Sequence, residues 1–566
     1  MSVGKPKILI VGLDAATWDL IGPWTQRGLL PNLAKVTQAG ASGKLESVLP
    51  PITPPAWTAF TTGKNPGKHG IFHFVEPTPG SYAMRYVNAS SRRTKTIFRL
   101  LSDAGFKVGA MNIPFTYPPE ILNGFQISGM DTPSVESAFV APVSLRPELE
   151  KLVGKLSLDV RYLGFMTTDE RRDAVLAEMK KLDNQWTKIA LHLVEKHSCD
   201  VMQFVFMSID TVQHYFWQYM DPGHFMHDAP RFGRYGDAIL HVYQRLDNSL
   251  GQLLAKAGPE TTVFVVSDHG GGPVSDRTVY LNRYLHQLGL LKYKPKKFSA
   301  KTLIKPLYEL IRGSLSSKHK SALAQMFPAL RTKFETTYTS FADIDWTQTE
   351  AYCSEVLASP PSVTINLKGE KPSGIVDPSE YEALRDLLIA KITELKDPRT
   401  GDAVIKKVFR REEIFHGPFV KEAPDLILDW WGASLFATAP SFPEESDKPP
   451  VVIRERKPST ESEWGGTHRL HGILIATGPQ CRKGAKIEGA RLIDVAPTIL
   501  YLMGQRVPED MDGKVLTDLF DAGYVASHPV QYDKAGDAAD ANEQGKYSTE
   551  EAAQVEERLK ALGYIE

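Results

Sequence analysis

The sequence predicts an α/β protein built on a doubly wound, mainly parallel sheet flanked by helices, and three observations carry that prediction. Three apolar, β-branched-rich runs each end in an acidic residue: Lys7-Ile8-Leu9-Ile10-Val11-Gly12-Leu13-Asp14, Val205-Phe206-Met207-Ser208-Ile209-Asp210 and Val263-Phe264-Val265-Val266-Ser267-Asp268-His269. Such runs read as strands buried on both faces. Helical patterns alternate with them, as over 171–195, where apolar residues recur at threes and fours among charged ones. At 566 residues the chain is long enough for one large α/β core with inserted segments.

The elements follow in chain order. The first strand leads to Asp14. A proline-restricted segment, Leu49-Pro50-Pro51-Ile52-Thr53-Pro54-Pro55-Ala56-Trp57-Thr58, presents Thr53 on a stiff turn. Val108-Gly109-Ala110-Met111-Asn112 is a further candidate strand. Beyond the strand that reaches Asp210, a helix starting there would put Asp210 and His214 on one face, one turn apart. Asp268-His269 is followed by Gly270-Gly271-Gly272, which lets the backbone bend tightly and exposes both side chains. Leu426-Ile427-Leu428 and Ile473-Leu474-Ile475-Ala476 are the last candidate strands. Before the second lies Trp464-Gly465-Gly466-Thr467-His468-Arg469-Leu470-His471-Gly472, in which either His468 or His471 is available as a ligand. One domain over 1–524 is expected, with cap insertions at about 75–200 and 275–410. A surface linker from 525 and a short helix at 549–562 complete the chain.

Composition narrows the function. Lys and Arg number 66 against 67 Asp and Glu, so neither a global nucleic-acid signal nor an acidic solvating tail is present. The segment 291–333 is a local exception, with eleven Lys or Arg against Glu309 alone, and reads as a solvated helical face or as a peripheral contact with an anionic surface. Cys199, Cys353 and Cys481 are scattered and form no CxxC, which excludes a thiolate zinc site and a disulfide framework. No apolar run approaches about 18 residues and the chain enters its first strand at once, so a soluble cytoplasmic protein is expected.

Ligand sites in open α/β sheets lie beyond the carboxyl ends of the strands, which places Asp14, Asp210 and Asp268 on one rim. Three carboxylates sharing a cleft repel one another unless a cation sits among them. A metal is therefore the economical reading, held by oxygen and imidazole. A threonine hydroxyl is a poor nucleophile at neutral pH, and a nearby divalent cation makes it easier to ionise. The rim and Thr53 thus support each other.

Val11-Gly12-Leu13-Asp14, the Thr53 segment continuing through Thr62-Gly63-Lys64-Asn65-Pro66-Gly67-Lys68-His69-Gly70, Asp210 with His214, Ser267-Asp268-His269-Gly270, Gly466-Thr467-His468 and Asp494-Val495-Ala496-Pro497-Thr498-Ile499-Leu500 occur in the order found in the alkaline phosphatase superfamily. The sequence resembles most closely its type I phosphodiesterase and nucleotide pyrophosphatase branch, over most of residues 7–518. The resemblance implies two divalent metal ions, zinc with manganese as the alternative: Asp210, His214 and His468 on one, Asp14, Thr53, Asp268 and His269 on the other. It also implies a phospho-threonine intermediate on Thr53 and small phosphate esters or nucleotides as substrates.

One departure stands out. Relatives in that branch carry an asparagine three residues after the nucleophile, contacting a phosphate oxygen, whereas this chain has Ala56. A lost preorganised donor costs about 2.7–4 kcal/mol in a transition state. Asn65, Lys64 and Arg469 are candidate replacements. Gly63-Lys64-Asn65-Pro66-Gly67-Lys68-His69 is not a Walker loop, because three residues separate its glycines and His follows the lysine. No cysteine starts the x-Pro-x-Arg signature of sulfatases. His69, His73, His224 and His227 read as structural, and His471 as a neighbour of the metal ligands. The expected activity is cleavage of a phosphodiester, pyrophosphate or phosphomonoester bond. The alternatives are a phosphotransferase or a hydrolase of lipid-head-group or glycan phosphates, and a non-catalytic, metal-stabilised anion-binding protein.

Overall fold

Ile8–Leu13, Val201–Phe206 and Thr262–Val266 are buried at every position, because each lies inside a sheet covered on both faces. The computed structural model describes residues 4–160, 166, 168–294, 340–355, 361–432, 434–455, 464–534 and 545–561. Its central sheet has nine strands, in the order Lys486–Arg491, Ala41–Glu46, His471–Thr477, Thr262–Val266, Ile8–Leu13, Val201–Phe206, Val108–Ile113, Gly124–Ser128 and Val140–Ala141. The pairs around Ile8–Leu13 are parallel, whereas His471–Thr477 and the edge strand Val140–Ala141 run antiparallel to their neighbours. The doubly wound, mainly parallel sheet expected from the sequence is thus present.

Alternation along the strands sorts side chains into two cores. Leu9, Val11 and Leu13 point to the layer built by the helices Asp169–Lys196, Ser208–Met220 and Ala238–Ala257. Ile8 and Ile10 face Thr53–Thr62, Ile97–Asp103 and Val495–Leu502. Each such aliphatic side chain contributes about 1.5–3 kcal/mol by leaving water.

The segment 75–200, expected as an insertion, supplies Val108–Ile113, Gly124–Ser128 and Val140–Ala141 to the central sheet and the long helix that backs it. Leu426–Leu428 is a strand, but of a separate four-stranded sheet with Ala351–Tyr352, Ser362–Ile365 and Val408–Arg410. That sheet carries the helix Tyr381–Thr393, which buries Leu384, Leu388 and Ile392. Of the basic segment 291–333, residues 295–333 lie outside the described residues. The stretch expected as a linker is tied down in part, since Tyr532–Asp533 pairs with Val507–Pro508. The helix Thr549–Ala561 buries Val555 and Leu559 and is anchored by Arg558 Nε donating to Asp159 at 2.7 Å. Among the described residues no helix is long and apolar enough to cross a membrane.

Candidate metal centre

Strand register brings the acidic residues together. Leu13 lies level with Phe206, and Gly12 is level with Val205 and Val266, so all three strands end at one height. Asp14 follows directly. Asp268 and His269 follow two and three residues beyond Val266, and Asp210 occupies the first turn of the helix Ser208–Met220. Asp14 Oδ1, Asp268 and His269 offer ligand atoms within 4.8 Å of one another, as do Asp210, His214 and His468. Stacked rings of His269 and His468, 3.9 Å between centroids, join the two groups.

In the Asp210 group, His214 Nε2 lies 3.2 Å and His468 Nε2 3.3 Å from the same carboxylate oxygen. His214 Nδ1 donates to the Gly466 carbonyl at 2.9 Å, and His468 Nδ1 to that of Pro51 at 3.0 Å. A carbonyl can only accept, so both Nδ1 atoms carry hydrogen and both Nε2 atoms are left facing the carboxylate, where each can donate a proton to it or offer a lone pair to a cation. Yet those Nε2 atoms lie 3.0 Å apart. Two imidazole nitrogens and a carboxylate converging on one point form a ligand set that a cation fits. Gly466 permits this approach, since a Cβ there would stand 2.3 Å from the Gln213 carbonyl oxygen.

The Asp14 group is drier and less satisfied. Asp14 Oδ1, both Asp268 carboxylate oxygens and His269 Nε2 are buried without a hydrogen-bond partner among the described residues. His269 Nδ1 donates to the Gly270 carbonyl at 3.1 Å, leaving Nε2 facing Asp268 at 3.3 Å and Asp14 at 3.8 Å. Trp57 Nε1 donates to Asp14 Oδ2 at 2.7 Å. Gly12 makes room for that indole, because a Cβ at residue 12 would meet the Trp57 ring at 2.7 Å. Orphaned buried donors and acceptors of this kind cost about 1–3 kcal/mol each unless a partner is supplied. The donor set, carboxylate oxygen with imidazole, suits a divalent cation.

Thr53 opens the helix Thr53–Thr62 rather than an isolated turn. Pro54 and Pro55 fit its first turn, where their missing N–H groups cost nothing. Thr53 Oγ1 is fully buried and has no partner among the described residues. Its segment is tied to both groups, through Pro51 to His468 and through Trp57, one helical turn on, to Asp14.

Charge is settled differently in the two groups. Burial, then the Asp268 and Asp210 carboxylates, push Asp14 well above the usual carboxylate range, and burial and Asp210 do the same to Asp268. Burial would raise Asp210 too, but His214 and His468 outweigh it and hold Asp210 well down. Burial lowers both His269 and His468, keeping the rings neutral and available as ligands.

The candidate replacements for the missing asparagine are engaged elsewhere. Lys64 pairs with Asp510 and Asn65 donates to Asp512. Arg469 follows His468 in the strand Gly466–Arg469, so its side chain leaves the opposite face. Burial lowers its guanidinium to about 10. Ala56 packs with Trp57 and Phe60 in the core. His471 is exposed at the start of its strand, whereas His468 is the one of the two that lies with Asp210 and His214. His69 is buried and lowered to about 3, chiefly by burial and then by Arg92. His224 Nε2 donates to the Gly465 carbonyl at 2.9 Å and so props the His468 loop.

Three supporting residues were not singled out. Trp57 holds Asp14, and its place one turn after Thr53 was the available signal. Gln213 Nε2 donates at 2.9 Å to the carbonyl of Ala15, whose φ of 58° is unusual for a residue other than glycine. Trp464 packs against His214 in a tilted arrangement, 3.9 Å between centroids.

The family model described as Type I phosphodiesterase / nucleotide pyrophosphatase matches residues 8–430. Among curated proteins, the 2,3-bisphosphoglycerate-independent phosphoglycerate mutase of Paracoccus denitrificans (strain Pd 1222) is 38% identical over 74 residues, which are 12% of this chain and 14% of the mutase. That of Rhodopirellula baltica is 40% identical over 62 residues, 10% of this chain and 11% of the mutase. The match thus spans well under two thirds of either relative. Among solved structures, phosphonoacetate hydrolase from Sinorhizobium meliloti 1021, in complex with phosphonoformate, is similar at TM-score 0.48 and 15% identity, covering 88% of this chain and 97% of that one. Human ectonucleotide pyrophosphatase / phosphodiesterase 5 gives TM-score 0.47 and 15% identity, covering 91% and 100%.

Proposed function

Because the chain belongs to the type I phosphodiesterase / nucleotide pyrophosphatase family, a family of phosphoester hydrolases that use divalent metal ions, we propose that it cleaves phosphodiester, pyrophosphate or phosphomonoester bonds with Thr53 as nucleophile. The observation that carries this reading is the pair of ligand groups joined through stacked His269 and His468, the Asp14 group with buried atoms unpartnered among the described residues, and a buried, likewise unpartnered Thr53 hydroxyl on a segment hydrogen-bonded to both groups. Asp210, His214 and His468 would hold one ion, and Asp14, Thr53, Asp268 and His269 the other. Zinc fits this mixed imidazole and carboxylate set, with manganese as the alternative. When bound, the cations supply Lewis-acid polarisation and make a hydroxyl ionise near neutral pH.

The chain's own residues do the rest. Thr53 Oγ forms a bond to phosphorus while the bond from phosphorus to the leaving oxygen breaks, and that oxygen takes up a proton. Water then attacks the phospho-threonine, releasing phosphate or a phosphate ester and restoring the hydroxyl. Pro54 and Pro55 bring no N–H to the first turn and the Ala56 N–H goes to the Ile52 carbonyl, so it is the helix dipole, with the Thr53 N–H, that favours the negative charge gathering on the phosphoryl oxygens.

Thr53→Ala tests the assignment against a panel of nucleotide diesters, monoesters, sulfate esters and phosphonate esters. Hydrolysis should collapse while metal content survives. Unchanged turnover would refute Thr53 as nucleophile, and two bound ions without turnover on any ester would favour an anion-binding protein.

A further inference from the structure

A second place on the molecule gathers metal-ligating side chains far from the Asp210 rim. Glu148 projects from the helix Leu145–Val153, His192 from the last turns of Asp169–Lys196, and His197 is the residue that ends that helix. His197 has extended backbone, φ −112° and ψ 115°, so the chain turns away from the helix axis there and sets the second imidazole beside the first. Glu148 Oε1 lies 2.6 Å from His192 Nε2 and 3.1 Å from His197 Nε2. The ring of His197 is held edge-on by Phe125 at 5.6 Å between centroids.

This cluster stands before the strand Val201–Phe206 begins, whereas Asp210 stands after it ends. Six strand residues span roughly 20 Å, so the two places sit at opposite rims of the sheet. No residue is shared. The three side chains are 41%, 21% and 29% exposed, which leaves water free to complete a coordination shell.

We propose that Glu148, His192 and His197 form a peripheral site for a borderline divalent cation of the zinc class. Three ligand atoms from two helices lie within 4.8 Å of one another. Two imidazoles and one carboxylate suit zinc, nickel or copper(II), while calcium and magnesium prefer an all-oxygen shell. The negative end of a 28-residue helix points the same way, because its last turn favours a cation. An ion here would cross-link the Leu145–Val153 helix to the helix that backs the Asp210 strand. It would add stability without touching substrate, and the site stands independently of the reading of the Asp14 rim.

Chelator-stripped full-length protein titrated with Zn²⁺ against a chromophoric chelator tests this by a difference. Wild type should bind one ion more per chain than the double variant His192→Ala/His197→Ala. With Zn²⁺ at about 100 times the dissociation constant, it should also gain a few degrees more in Tm. Failure of the Asp14 rim to load would lower both counts together and leave the difference of one intact. Equal counts would overturn the site. Glu148→Gln, which keeps both imidazoles, serves as the second variant. A tenfold or greater loss of affinity for the extra ion supports the site, and unchanged affinity overturns it.

Discussion

Around Asp210 the protein brings two imidazoles onto a carboxylate that stays ionised, while around Asp14 and Asp268 it buries two carboxylates that burial and mutual repulsion push upward. In the first group the Nδ1 hydrogens of His214 and His468 are anchored to backbone carbonyls, which turns both Nε2 atoms toward the Asp210 carboxylate. In the second, four ligand atoms have no partner among the described residues. The difference teaches how a site can be ready for one cation and dependent on another. The Asp210 group is preorganised by hydrogen bonds, and the Asp14 group is held in place by packing, with Trp57 as its main polar support.

The largest expected effect falls on the segment that is hydrogen-bonded to both groups. Thr53→Ala should lower kcat by about 10⁴-fold or more, the scale seen when a nucleophile is removed, with metal content by atomic emission unchanged. Loss of metal along with turnover would make Thr53 chiefly a ligand.

Comparing His468→Ala with His269→Ala sharpens the contrast. Each should reduce turnover by at least about 100-fold, more than the loss of an outer-shell partner. Each should remove one ion, from the Asp210 and the Asp14 group respectively. Loss of both ions in either variant would show that the groups load as a unit.

Trp57→Phe keeps the ring and removes the donor to Asp14. Metal affinity at the Asp14 group should weaken by about 10–100-fold while the Asp210 group is unchanged. Competition with a chelator measures this, and equal weakening of both ions would dissolve the distinction between the groups.

The smallest effect is on the metal-stripped protein. Asp268 is raised in the folded state, so the fold binds its proton more tightly than the unfolded chain does. Stability is therefore lost as pH rises above the unfolded value of about 3.9. Asp268→Asn should flatten that decline in urea melts between pH 4 and 8. Asp131, pushed up to about 6 by burial, contributes a slope of the same sign in both proteins and cancels from the difference. A steeper decline in the variant would reverse the sign assigned to Asp268.

Much of the rim was readable because fully buried parallel strands leave apolar runs at their carboxyl ends, even where Gln203 interrupts one earlier, and Asp14, Asp210 and Asp268 lie at or just beyond those ends. His468 was readable only as one of two. Its choice over His471 comes from the pairing of Gly466–Arg469 with Gly270–Pro273, which sets Gly271 opposite His468. The outer strands hid themselves for other reasons. Gly124–Ser128 carries a buried Gln126, whose amide donates to the Thr116 carbonyl, so its apolar pattern is broken. Val140–Ala141 spans two residues, too few for any period. Leu426–Leu428 announced a strand but not its sheet, because three apolar residues carry no information about their neighbours.

The central claim is that six rim side chains divide into two cation sites beside Thr53. Diffraction from zinc-soaked crystals on both sides of the zinc absorption edge tests it most directly. Two anomalous peaks should appear at this rim, one in contact with Asp210, His214 and His468 and the other with Asp14, Asp268 and His269. A single peak, or none within reach of those six residues, would contradict the account.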